Sequence, residues 1–168
     1  MFRRLVLGAG VATLLGISAL TGVGGATAAP SQPSACVLKG VAHINPGLKI
    51  AAGAFSYTFS GTFSNCKGSD STIKSGTVSA SGSGTGGCTK SATTGHASVT
   101  WSNGRTSAIT FKTTGAGALL VVQGTISSGE FAGKAAKAAL VFQATPTDCN
   151  TAAGVTAPSF TGPAEVGT

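Results

Sequence analysis

The side chains of this chain that could do chemistry are few: four carboxylates, two histidines, four cysteines, one tryptophan and a run of glycines. Hydrolysis of a glycosidic bond needs two carboxyl groups flanking it. The only candidates are Asp70, Glu130, Asp148 and Glu165, and all four fall in turns or tails, where turn and solubility roles are expected. A Ser-His-Asp arrangement could use His43 or His96, because serine is abundant, but no Gly-x-Ser-x-Gly elbow accompanies either histidine. Both are expected on the surface or at a rim. Gly82 to Gly87 could wrap a phosphate, yet the Gly-Lys-Ser/Thr ending of a phosphate loop is missing and no helix pattern follows. No catalytic residue and no cofactor are assigned.

Cys36, Cys66, Cys88 and Cys149 contain no Cys-x-x-Cys pair, which argues against a metal site. Their even number in an exported chain reads as two disulfides, for which three pairings exist. If the first two strands form a hairpin, Cys36 and Cys66 meet, leaving Cys88 for Cys149. The last candidate is Trp101 with Arg105. A guanidinium stacked on an exposed indole at a rim could hold a sugar or an anionic polymer; the competing role is an indole in the core with Arg105 shielding its edge.

The placing of that pair depends on one hairpin. From Ala97 to Thr114 two strand-like runs flank Asn103-Gly104, a strong hairpin signal. A two-residue turn would put Trp101 and Val99 on the face opposite Ile109 and Phe111. A three-residue loop with Gly104 in a left-handed bulge pairs Trp101 with Arg105, Val99 with Ser107 and Ala97 with Ile109. All the large apolar residues then share a face, so the bulged turn is expected, with Ser107 as a polar intruder among them.

Period-two alternation recurs along the chain. Cys36, Leu38, Gly40, Ala42 and Ile44 make one face of a first strand, which Asn45-Pro46-Gly47 ends. Phe55, Tyr57, Phe59 and Phe63 line one face of a second, in which Gly61 implies a bulge or a close backbone approach. A weaker strand from Ser71 to Ser83 needs a bulge near Ser75-Gly76 to keep Ile73 and Val78 inward. Leu119 to Val122 is apolar without alternation and predicts a strand covered on both faces. Residues 135–144 have helix propensity in Lys134 to Leu140, but Ala136, Ala138, Leu140 and Phe142 alternate and predict a strand. A last strand is expected over Gly154 to Gly162.

Arg3 and Arg4, the uncharged run Leu5 to Val23 and Ala26-Thr27-Ala28 form a processing signal over residues 1–28. An uncleaved anchor is the rival, and disulfides made after export favour the general secretory route over a twin-arginine one. A linker at 29–35 and a single all-β domain at 36–168 follow, with no transmembrane segment in the mature chain. Nine of the 11 Lys and Arg residues remain there against four acids. That mild excess permits an anionic envelope polymer or surface as partner, while the scattered lysines argue against nucleic acid.

An early Cys36, the segment Phe59 to Cys66, the hairpin Trp101 to Ser107, the turn Gly129 to Gly133 and a late Cys149 occur in order. In these the chain resembles a group of small exported all-β proteins of actinobacteria. The resemblance implies a secreted, disulfide-bonded β domain and brings no catalytic residues. The expected fold is one antiparallel domain of about eight strands, a small β-barrel with a β-sandwich as the alternative. The expected role is a secreted, monomeric, non-enzymatic binding or structural module, extracellular or associated with the cell wall. A small hydrolase using His43 or His96, and a carrier of an apolar ligand inside the barrel, are the alternatives. An open cavity lined by Phe55, Tyr57, Phe59 and Leu120 would favour the carrier.

Overall fold

The computed structural model describes residues 33–68, 70–144 and 146–168, so the expected signal and most of the expected linker lie outside the described residues. Eight strands close into one antiparallel barrel: β1 (Ser34–Asn45), β2 (Gly53–Gly68), β3 (Gly76–Gly86), β4 (Lys90–Trp101), β5 (Thr106–Ala116), β6 (Leu119–Gly129), β7 (Ala135–Gln143) and β8 (Ser159–Val166). Each strand pairs with its neighbour in sequence, and β8 returns to β1. The expected barrel forms rather than a sandwich. Closure removes the exposed edges that eight adjacent strands would otherwise leave. No helix among the described residues is long and apolar enough to cross a membrane.

Alternation becomes inside and outside. Leu38, Ala42 and Ile44 of β1, Phe55 and Phe63 of β2, Val99 of β4 and Leu140 of β7 are buried in the barrel core. At Gly40 and Gly61, which are register partners, an added Cβ would lie within 3 Å of the Phe59 ring. The interruption at Gly61 is therefore a close approach, to that ring and to the Lys39 carbonyl, and the β1–β2 register runs through it without a bulge. Residues 135–143 are strand, as their alternation predicts.

The disulfides are Cys36–Cys66 and Cys88–Cys149, the pairing expected from a β1–β2 hairpin. Two such bonds fit an oxidising compartment. The β4–β5 register pairs Val99 with Ser107 and Ala97 with Ile109, and Gly104 has a φ of +80°. The bulged turn is present, and Trp101, Val99, Ile109 and Ser107 all face inward.

Four expectations need correction. Gly82 to Gly86 is not a loop but the end of β3. The break at Ser75-Gly76 is the start of β3, and Ile73 reaches the core from the preceding loop. β6 is covered on one face only: Leu119 is 48% exposed on the outer wall, opposite Val141 at 47%. The last strand begins at Ser159, while Val155 makes an isolated bridge to Leu48. In each case an apolar or glycine-rich run was compatible with more than one placement, and closure of the barrel chose between them.

The two ends differ. One receives the β2–β3 loop, the β4–β5 and β6–β7 turns and the end of β8; it is filled by Ile73, Trp101, Ile126 and Phe131, each at most 2% exposed. Phe131 adopts a φ of 63°, a left-handed conformation uncommon outside glycine, within the turn that joins β6 to β7. The other end receives the remaining turns and is the mouth.

Candidate functional site

Inside the barrel lies an elongated cavity of about 160 Å³. Rings from Phe55, Tyr57, Phe59, Phe111 and Phe142, together with Leu120, form much of its wall, and small residues such as Ala80, Ala97 and Ala138 leave the space between them. At the mouth the lining reaches the exposed Lys90 and Gly117, so the cavity opens there. Elsewhere around the mouth Leu48 and Val155 are buried, and Cys88–Cys149 ties the β3–β4 turn to the segment before β8. The size is close to the 150 Å³ apolar cavity known to stay dry and to admit benzene.

Near the mouth the hydroxyls of Tyr57, Thr93 and Thr113 interrupt the apolar wall, with Ser91 one inward position nearer the rim. Thr93 and Thr113 are direct partners in the β4–β5 register, with their Oγ1 atoms 2.7 Å apart. The Tyr57 hydroxyl lies 3.5 Å from Thr93 Oγ1 and donates to the Thr94 carbonyl at 3.4 Å. Both contacts are longer than a good O–H···O bond. The Tyr57 ring reaches this position because β3 and β4 carry glycine beneath it: a Cβ at Gly82 or Gly95 would lie 2.7 or 2.6 Å from its oxygen. Glycine is costly in a strand, and here it makes room for the ring. Burial pushes the phenol above its ordinary pKa, opposed by the Thr93 hydrogen bond, so it stays protonated and able to donate across the physiological range.

Trp101 lies away from this mouth. It is 2% exposed, tilted by 33° against Phe63 at 5.3 Å and edge-on at 5.7 Å to Phe131, and its Nε1 donates to Ser107 Oγ at 2.8 Å. Ser107 Oγ donates onward to the Glu130 carbonyl at 2.7 Å. The polar intruder is thus the acceptor for the buried indole N–H. Arg105 sits outside with its guanidinium on the Glu130 carboxylate, 2.9 Å apart, their side chains being 62% and 2% exposed. The indole is a core ring here, with Arg105 outside it on the Glu130 carboxylate.

His43 and His96 are exposed on the outer wall. The four carboxylates are dispersed: Asp70 between β2 and β3, Glu130 in the β6–β7 turn, Asp148 in a short 3-10 helix and Glu165 on the outside of β8. No group of three or more His, Cys, Asp or Glu able to hold a metal occurs among the described residues. Asp70 is engaged locally, accepting from the Thr72 hydroxyl at 2.5 Å and from the Thr72 amide at 2.8 Å. Those two bonds, the hydroxyl first, hold its carboxyl below the ordinary carboxylate range. A depressed folded pKa stabilises the fold above the unfolded value, and that contribution is lost as pH falls through the folded one. Thr72→Val should therefore raise the Asp70 pKa toward ordinary and flatten this acid limb, read by carboxyl NMR titration. An unchanged titration would show the hydroxyl to be irrelevant.

Thr93 and Thr113 carry no motif, but the sequence does hold a signal for their pairing. Continuing the hairpin register beyond Ala97 and Ile109 pairs them directly on the inward face. Comparison with family models, with curated proteins and with solved structures finds no match, so the geometry of the barrel is what bears on function.

Proposed function

We propose that this protein is an exported, non-enzymatic binding module that carries one small apolar molecule inside its barrel, outside the cell or at the envelope. The observation that supports the reading is the cavity, apolar along its length, plugged by Trp101 and Phe131 at one end and open at the other. Small-molecule sites are concave and mostly apolar, with a few placed polar groups. A volume near 160 Å³ suits an aromatic ring or a short branched chain rather than a long lipid.

Toluene is a suitable probe. At ten times its Kd it should stabilise the folded state by about 1.4 kcal/mol and raise the melting temperature by about 4 °C. Ala97→Phe, which puts a ring into the space beside Ile109, should remove that rise while leaving a cooperative melt. A wild-type protein whose melting ignores toluene, and whose amide spectrum does not move when it is added, would refute the carrier role.

A further inference from the structure

We propose that Tyr57, Thr93 and Thr113 recognise one uncharged hydroxyl, phenolic or alcoholic, on an otherwise apolar ligand, which makes the barrel selective for small hydroxylated hydrophobes. The inference rests on the cavity being a ligand site and names the class of ligand it takes.

The three hydroxyls line the cavity: Thr93 and Thr113 from the adjoining β4 and β5, each three residues inside the mouth-side end of its strand, and Tyr57 from β2, its ring reaching them across Gly82 of β3. Only the Thr93–Thr113 contact is short. The Tyr57 phenol, in a mostly apolar wall, has two long contacts, at 3.4 and 3.5 Å, so a ligand oxygen could improve on its present hydrogen bonding. Either threonine can be the donor in their shared bond. If Thr113 donates, Thr93 keeps its proton for the Tyr57 oxygen and the Thr113 lone pairs remain for a ligand O–H; if Thr93 donates to Thr113, the Tyr57 oxygen loses that donor and the Thr113 proton remains for a ligand oxygen. A hydroxyl is the group that satisfies both arrangements, because it donates and accepts.

Charge argues against the obvious competitor, a carboxylate. Neither lysine of the cavity lining makes a hydrogen bond or ion pair with the three hydroxyls: Lys90 lies at the exposed rim, three residues before Thr93, and Lys137 is an exposed residue of β7 whose register partners are Gln123 and Glu165. An ionised group taken to that depth would lose its water without gaining a counter-ion.

The test compares p-cresol with toluene, which differ by the hydroxyl, using calorimetry on wild type, Tyr57→Phe, Thr113→Val and the double variant. The wild type should bind p-cresol about tenfold more tightly than toluene. Each single variant should reduce that ratio, and the double variant should bring it near unity with toluene affinity kept. Thr93→Ser, which retains a hydroxyl, should keep the preference. Toluene binding with no preference for p-cresol, or a preference that survives the double variant, overturns the hydroxyl assignment and leaves the carrier reading intact. Binding of neither probe overturns both. Should the double variant fold poorly, the two single variants decide by the same ratio.

Discussion

Trp101→Ala is expected to lower the unfolding free energy by about 3 to 5 kcal/mol, the range for truncating a large buried aromatic. Three losses combine. The indole is 2% exposed and packs between Phe63 and Phe131, so its removal opens a void at the end of the barrel that has no open mouth. Its N–H is the donor to Ser107 Oγ, whose own proton is committed to the Glu130 carbonyl, leaving a buried acceptor with less than its due. The ring also stands against Gly76, the first residue of β3, so the start of that strand loses its cover. Against a total stability of about 5 to 15 kcal/mol, this is a large fraction.

Trp101→Phe separates the terms. It keeps most of the ring and removes the donor, so a cost of about 1 to 3 kcal/mol is expected from the hydrogen bond alone. Trp101 is the only tryptophan, and unfolding in urea is therefore followed by circular dichroism rather than fluorescence. A Trp101→Ala protein within 1 kcal/mol of wild type would mean that this end collapses readily around the gap, and that the plug is not what keeps water from the cavity floor.

How much of this was legible beforehand differs by level. Period-two alternation identifies the strands because it follows from backbone pleat, and the β4–β5 register follows from asking which turn gathers Trp101, Val99, Ile109 and Phe111 on one face. The same register, continued, places Thr93 against Thr113. Beyond the pair, sequence loses its hold. Leu119 to Val122 reads equally as a strand covered twice or as one with a greasy outer face, because composition does not say what lies outside a barrel. Gly82 and Gly95 look like weak strand or loop until the Tyr57 ring is found lying over them. The cavity is least legible of all. It depends on rings from β2, β5 and β7 meeting alanines from β3, β4 and β7 across the interior, a property of closure rather than of any segment.

Loss of the Cys88–Cys149 bridge is expected to have an effect of similar size, at most about 4 kcal/mol, but a different distribution. The entropy removed from the unfolded chain grows with the loop closed, and this bond spans 61 residues against 30 for Cys36–Cys66. The native surroundings differ more. Cys36 and Cys66 join β1 to β2, strands already paired along most of their length, so a Cys36→Ser/Cys66→Ser protein should unfold more easily while keeping its native contacts until it does. Cys149 lies in the 3-10 turn Pro146–Asn150, in a segment anchored otherwise by the Leu48–Val155 bridge and by bonds from β1 to the Thr156 and Pro158 carbonyls. In Cys88→Ser/Cys149→Ser that segment should open by itself, since local unfolding follows sparse packing. Hydrogen exchange should then speed at the amides of Cys88 and Val155, which bond the Lys49 and Leu48 carbonyls, well before β4 and β5 exchange. Toluene should also leave faster from this variant than from Cys36→Ser/Cys66→Ser, because only the former bridge borders the mouth. Equal exchange at these amides in the two variants, or equal dissociation, would mean that the Leu48–Val155 contact alone shapes the entrance.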